Sequence, residues 1–150
     1  MPAFATSRST TIDADIAAVH ALINDFRQWP QWSPWEKIDP ALTRSYDGPD
    51  AGTGAHYAWE GKKAGSGTMT ITLSTADAIA IDLEFVKPFK ASNKVIFTLR
   101  PTGPATEVTW TMSGERNLAF TVLGKLFFDR AIGKDFDKGL ADLKAAAERG

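Results

Sequence analysis

Residues 79–85 read Ile-Ala-Ile-Asp-Leu-Glu-Phe. Apolar side chains take every second position, the spacing of a strand with one face in a core and the other in water. The same period holds on both sides. Met69, Ile71 and Leu73 alternate with Thr68, Thr70 and Thr72; Val95, Phe97 and Leu99 oppose Lys94, Thr98 and Arg100; Val108, Trp110 and Met112 oppose Thr109, Thr111 and Ser113. Turn-forming residues separate the runs, at 47–52 (Asp-Gly-Pro-Asp-Ala-Gly), between Gly61 and Gly67, at Ser74 to Asp77, at Lys87-Pro88 and at 101–104 (Pro-Thr-Gly-Pro). The pattern predicts an antiparallel meander of about six strands, greasy on one face and wet on the other.

Toward the N-terminus the period breaks. Residues 26–35, Phe-Arg-Gln-Trp-Pro-Gln-Trp-Ser-Pro-Trp, carry large rings on a backbone that Pro30 and Pro34 bar from a regular helix or a central strand. Before them, Asp13 offers an N-cap to a helix bearing Ile16, Val19, Leu22 and Ile23 that should stop near Asp25, and residues 3–12 carry a modest strand signal. Toward the C-terminus no proline follows Pro104, so residues 117–149 can run as one long helix. Ile132, Phe136, Leu140, Leu143 and Ala147 fall on one stripe of it, away from Lys134, Asp135, Lys138, Asp142 and Lys144. A one-sided sheet and an amphipathic helix each need a partner, and each can serve the other. The expected architecture is α+β: a curved seven-stranded antiparallel sheet wrapped around a long C-terminal helix, with one or two short helices between the first and second strands. One helix cannot fill a curved sheet, so a cavity lined by aromatic and aliphatic side chains is expected between them.

At 150 residues, 43% hydrophobic and 23% charged, the chain has the size of one domain spanning residues 1–150. With 17 basic against 18 acidic residues it lacks the field that nucleic acid or an anionic membrane would require. The absence of cysteine removes disulfides, thiol catalysis and thiolate metal sites together. No stretch approaches the roughly 18 apolar residues of a membrane span, and no secretory signal opens the chain, so a cytoplasmic location is the default expectation.

The chain resembles the START-like, or SRPBCC, superfamily, and within it the small polyketide cyclase/dehydrase-like proteins. The likeness rests on residues 29–35 (Trp-Pro-Gln-Trp-Ser-Pro-Trp), 52–55 (Gly-Thr-Gly-Ala) with Tyr57 and Trp59, 65–69 (Gly-Ser-Gly-Thr-Met), 87–89 (Lys-Pro-Phe), 106–110 (Thr-Glu-Val-Thr-Trp) and 133–144 from Gly133 to Lys144. It covers nearly the whole chain. It implies a helix-grip fold around a ligand cavity and carries over no catalytic residue. Members of the superfamily range from lipid and hormone carriers to cyclases and chaperone activators.

His56 shares a strand face with Glu60, opposite Tyr57 and Trp59, and is expected to look toward solvent. His20, four residues after Ile16, reads as a packing residue. Two isolated histidines and no thiol offer no metal site, and no phosphate-binding glycine loop or serine elbow is present. Asp82 and Glu84 belong to the wet face. Lys125 and Asp129 would point at the sheet if the last helix ran unbroken from Leu118. A kink or late start near Gly124 or Gly133 would instead favour the stripe of Phe120, Leu123 and Phe127. The expected ligand contacts are Trp32, Tyr57, Trp59, Met69, Phe85, Phe97, Trp110, Asp129 and Phe136. The first functional expectation is a binding module for a small hydrophobic molecule, lipid-like or aromatic, without cofactor. The second is a polyketide cyclase or dehydratase using the same cavity, with Tyr57 or Asp129 helping in acid–base steps. An interaction protein of co-chaperone or toxin–antitoxin type rests on superfamily breadth alone. Residues 118–128, apolar almost all round, leave room for a homodimer.

Overall fold

The computed structural model describes residues 3–33, 36, 41–62, 65–87, 90–115 and 118–149, with side chains for all of these except 3, 4, 115 and 118–132. Pro34, Trp35, the side chains of Lys125, Asp129 and Ile132, and the apolar side chains of 118–128 lie outside that set. Seven strands form one antiparallel sheet: β1 (Ala3–Ile12), β2 (Thr43–Asp47), β3 (His56–Gly61), β4 (Gly65–Thr75), β5 (Ala78–Lys87), β6 (Ala91–Thr102) and β7 (Ala105–Glu115). Their order, β1-β7-β6-β5-β4-β3-β2, is a continuous meander with the first strand returned to pair with the last. Between β1 and β2 stand helix α1 (Ile16–Ile23) and a three-ten helix (Phe26–Gln31). Helix α2 (Leu118–Glu148) closes the chain.

Alternation sets the inner face as expected. Ile79, Ile81, Leu83, Val95, Phe97, Leu99, Val108, Trp110 and Met112 are buried. One expectation fails. Leu73 is 49% exposed, although it follows Met69 and Ile71 at the right spacing. Ile71 pairs with Ile81 but Leu73 pairs with Ala80, a register shift that makes Thr72 an extra residue and reverses parity beyond it. Ser74 takes the inward place, and its hydroxyl lies 2.6 Å from Asn24 Oδ1.

The helix entry also differs from expectation. Asp15, not Asp13, caps α1, its carboxylate accepting from Ala18 N at 2.8 Å. The Asp13 amide instead donates to Glu148 Oε2 at the far end of α2, 2.8 Å away, tying β1 to the chain's last turn. Trp29 and Trp32 then secure the other end of α1. Their indole N–H groups donate to Ile23 O and Leu22 O, both at 2.9 Å, satisfying carbonyls that a helix C-terminus leaves open.

Helix α2 crosses the concave side. Phe136 stacks on Trp110 with ring centroids 4.2 Å apart and planes 10° from parallel, and Leu140, Leu143 and Ala147 are buried beside it. At Gly133 the Arg8 guanidinium of β1 lies against the helix, 2.4 Å from where a Cβ would stand. The C-terminal half of α2, α1 and the three-ten helix thus converge on one end of the sheet.

Candidate functional site

That end is filled. Trp32, Phe97, Trp110 and Phe136 have 0% of their surface accessible. Trp32 meets Phe97 edge-on at 5.9 Å and Trp110 at 5.5 Å, while Phe97 stacks on Trp110 at 4.9 Å. Trp29 closes the cluster at 4.6 Å from Trp32. Sealed from solvent and in direct ring contact, these four predicted ligand contacts form an aromatic plug at one end of the concave face.

The opposite end is built differently. Strand pairing places Tyr46, Tyr57, Met69, Leu83 and Asn93 in one row across β2 to β6, and Arg44, Trp59, Gly67 and Phe85 in the next. Because directly paired residues share a face, all of them belong to the concave side. Trp59 lies over Gly67, where an added Cβ would come within 2.5 Å of the indole. The glycine is what allows the ring to lie down on the sheet. Phe85 meets Trp59 edge-on at 5.8 Å, and Tyr57 stacks on Trp59 at 6.1 Å. Tyr57 and Met69 are buried, whereas Trp59 and Phe85 are only partly so. Among the predicted contacts, the structure therefore gathers Tyr57, Trp59, Met69 and Phe85 here and Trp32, Phe97, Trp110 and Phe136 at the plug.

A polar cluster borders this second group, and the residue pattern did not reveal it. Glu36 is buried and accepts from the Tyr57 hydroxyl at 2.6 Å. Arg44 Nε donates to Glu36 Oε1 at 3.1 Å, and Arg44 Nη2 donates to the Glu36 backbone carbonyl at 2.9 Å. Burial, then the hydrogen bond to Glu36, pushes the Tyr57 phenol well above its usual value. Burial works against the Arg44 charge, but Glu36 outweighs it and the guanidinium is held more firmly protonated than usual. Tyr46 packs 5.4 Å from Tyr57 under the guanidinium of Arg27, 4.8 Å above its ring. One signal for Arg44 and Tyr46 was present: each sits two residues from the other, the spacing that puts both on one face of a strand, and the register with β3 makes it the face of Tyr57 and Trp59. Nothing local marked Glu36.

The two histidines take no part in this group. His56 is half-buried on the outer face, its Nδ1 2.8 Å from Thr70 Oγ1. His20 Nε2 lies 2.8 Å from Thr75 O, fixing α1 to the β4–β5 hairpin rather than entering the core. Among the described residues, no three His, Cys or carboxylate side chains converge as metal ligands. No helix among them is long and apolar enough to cross a membrane.

A curved antiparallel sheet gripping a C-terminal helix, with a short helix between its first two strands, is the helix-grip fold. The chain belongs to the family described as polyketide cyclase / dehydrase and lipid transport, whose model matches residues 3–148. No functionally curated protein matches it. Solved structures share the fold at low identity. A Mesorhizobium loti protein is 11% identical with a TM-score of 0.71, covering 97% of this chain and 98% of its own. A Chromobacterium violaceum protein is 12% identical with a TM-score of 0.69, covering 96% of each. The Aha1 dimer from Colwellia psychrerythraea is 14% identical with a TM-score of 0.68, covering 97% of this chain and 96% of its own.

Proposed function

We propose that this protein binds a small, largely hydrophobic molecule, lipid-like or aromatic, on the unplugged end of its concave face. One observation carries the proposal. Two large aromatic side chains on the inner face, Trp59 and Phe85, stay partly exposed while every ring of the plug is sealed. Gly67 lets the Trp59 indole lie down against the strands, so this part of the inner face offers a guest a flat aromatic surface. Membership of a family whose description includes lipid transport agrees with this use. Tryptophan fluorescence, titrated with lipids, sterols and fused-ring aromatics, tests it. Saturable quenching is expected, reduced strongly in Trp59→Phe. Absence of saturable binding across the whole panel would remove the proposal.

A second reading, an enzyme of cyclase or dehydratase type, is favoured by the Tyr57–Glu36–Arg44 cluster beside the same surface. Tyr57 keeps its proton at neutral pH and points it at Glu36, so it would act as a donor and not as a base. Turnover lost in Tyr57→Phe but retained in Trp59→Phe would support that role. Self-association through residues 118–128 is a separate proposal, and light scattering on the full chain decides it.

A further inference from the structure

The two arginines nearest Tyr57 and Tyr46 are already engaged by carboxylates of the protein. Glu36 takes the Nε of Arg44 through its carboxylate and Nη2 through its own carbonyl. Arg27, whose guanidinium lies over Tyr46, stands 3.9 Å from Asp25 and 3.4 Å from Asp50. Arg44 Nη1 makes no hydrogen bond among the described residues, and the side chain is 31% accessible on the face it shares with Trp59. A guanidinium carries five N–H groups, so a donor remains after Glu36 is served. A ligand carboxylate placed on that donor would share the single positive charge that Glu36 already neutralises. It would lose its hydration with only a shared countercharge in return. A carbonyl, hydroxyl or ether oxygen accepts the same N–H without either cost.

From this geometry we infer that the ligand is electrically neutral at the end it presents to Arg44, a ketone, ester, alcohol or phenol and not a free acid, with Glu36 acting as the residue that rejects anions. The inference rests on the binding proposal above and narrows it. Calorimetric titration of the full-length protein with methyl naphthyl ketone and with naphthoate, near-isosteric but for the charge, tests it. The ketone is expected to bind at least about tenfold more tightly. Glu36→Gln keeps an acceptor for Tyr57 while freeing the Arg44 charge, and should bring the two affinities within about threefold or reverse their order. Arg44→Gln should weaken the ketone by about fivefold. Naphthoate binding the unaltered protein as tightly as the ketone would overturn the inference while leaving a hydrophobic site intact. So would an unchanged ratio in a folded Glu36→Gln, or ketone affinity indifferent to Arg44→Gln. If Glu36→Gln fails to fold, the ratio measured on the unaltered protein decides. Binding of neither compound would overturn the binding proposal and this inference together.

Discussion

At the scale of single residues, the Tyr57 hydroxyl is held between burial and Glu36, and both keep its proton on. Tyr46 is also raised, first by burial and then by Glu36. Both phenols of the chain therefore have folded values above the ordinary one near 10. Below pH of about 10, folded and unfolded chains alike keep these protons and stability is at its full value. Above it the unfolded chain releases protons that the native state retains, so stability falls as pH rises toward the folded values. Folded protein should accordingly show little phenolate absorbance where the urea-unfolded chain shows nearly all of it. Tyr57→Phe should flatten the alkaline loss of stability. Equal phenolate signals in both states would contradict the buried hydrogen bond. Parity along β3 was enough to turn Tyr57 inward. Its partner Glu36 stands 21 positions away, on a segment with no period of its own, and only the register of the edge strand brings Arg44 to it.

Among the elements, β4 shows what hydrophobic alternation can and cannot reveal. A period of two locates a strand, yet a single extra residue reverses every later side chain without altering composition. Leu73 is apolar and lies outside; Ile71, two positions earlier, is buried. Leu73→Thr should change stability by no more than about 0.5 kcal/mol. Ile71→Ala should cost roughly 2–5 kcal/mol, the range for emptying a packed site. Chemical denaturation of the two variants separates the bulged strand from a regular one, for which both costs would be large. The N-terminus of α1 carries a similar ambiguity, because Asp13 and Asp15 are equally good caps by residue type. Asp15→Ala should lose about 1 kcal/mol through the open amide of Ala18. Sequence alone could not rank the two, since what engages Asp13 is Glu148, from the other end of the chain.

For the molecule as a whole, the meander, the early helix and the long closing helix were legible because each has its own period or its own breakers. The division of the concave face into a sealed end and an aromatic end was not. The same strand parity places Phe97 and Phe85 inside, and what separates them is where α1 and the tryptophan segment land on the sheet. That landing is a tertiary event fixed by Trp29 and Trp32 bonding to the carbonyls of Leu22 and Ile23. One consequence concerns how the parts melt. Phe136 on Trp110 is the stacked contact through which α2 engages a core that also holds α1 and β6. Phe136→Ala removes that ring from a fully packed place and should cost about 3–5 kcal/mol. Because one core joins every element, helix and sheet should still unfold together, with circular dichroism and tryptophan fluorescence giving coincident transitions at a lower denaturant midpoint. Helical signal lost well before fluorescence in this variant would mean that α2 is a separable arm, and that the sheet holds its plug without the helix it grips.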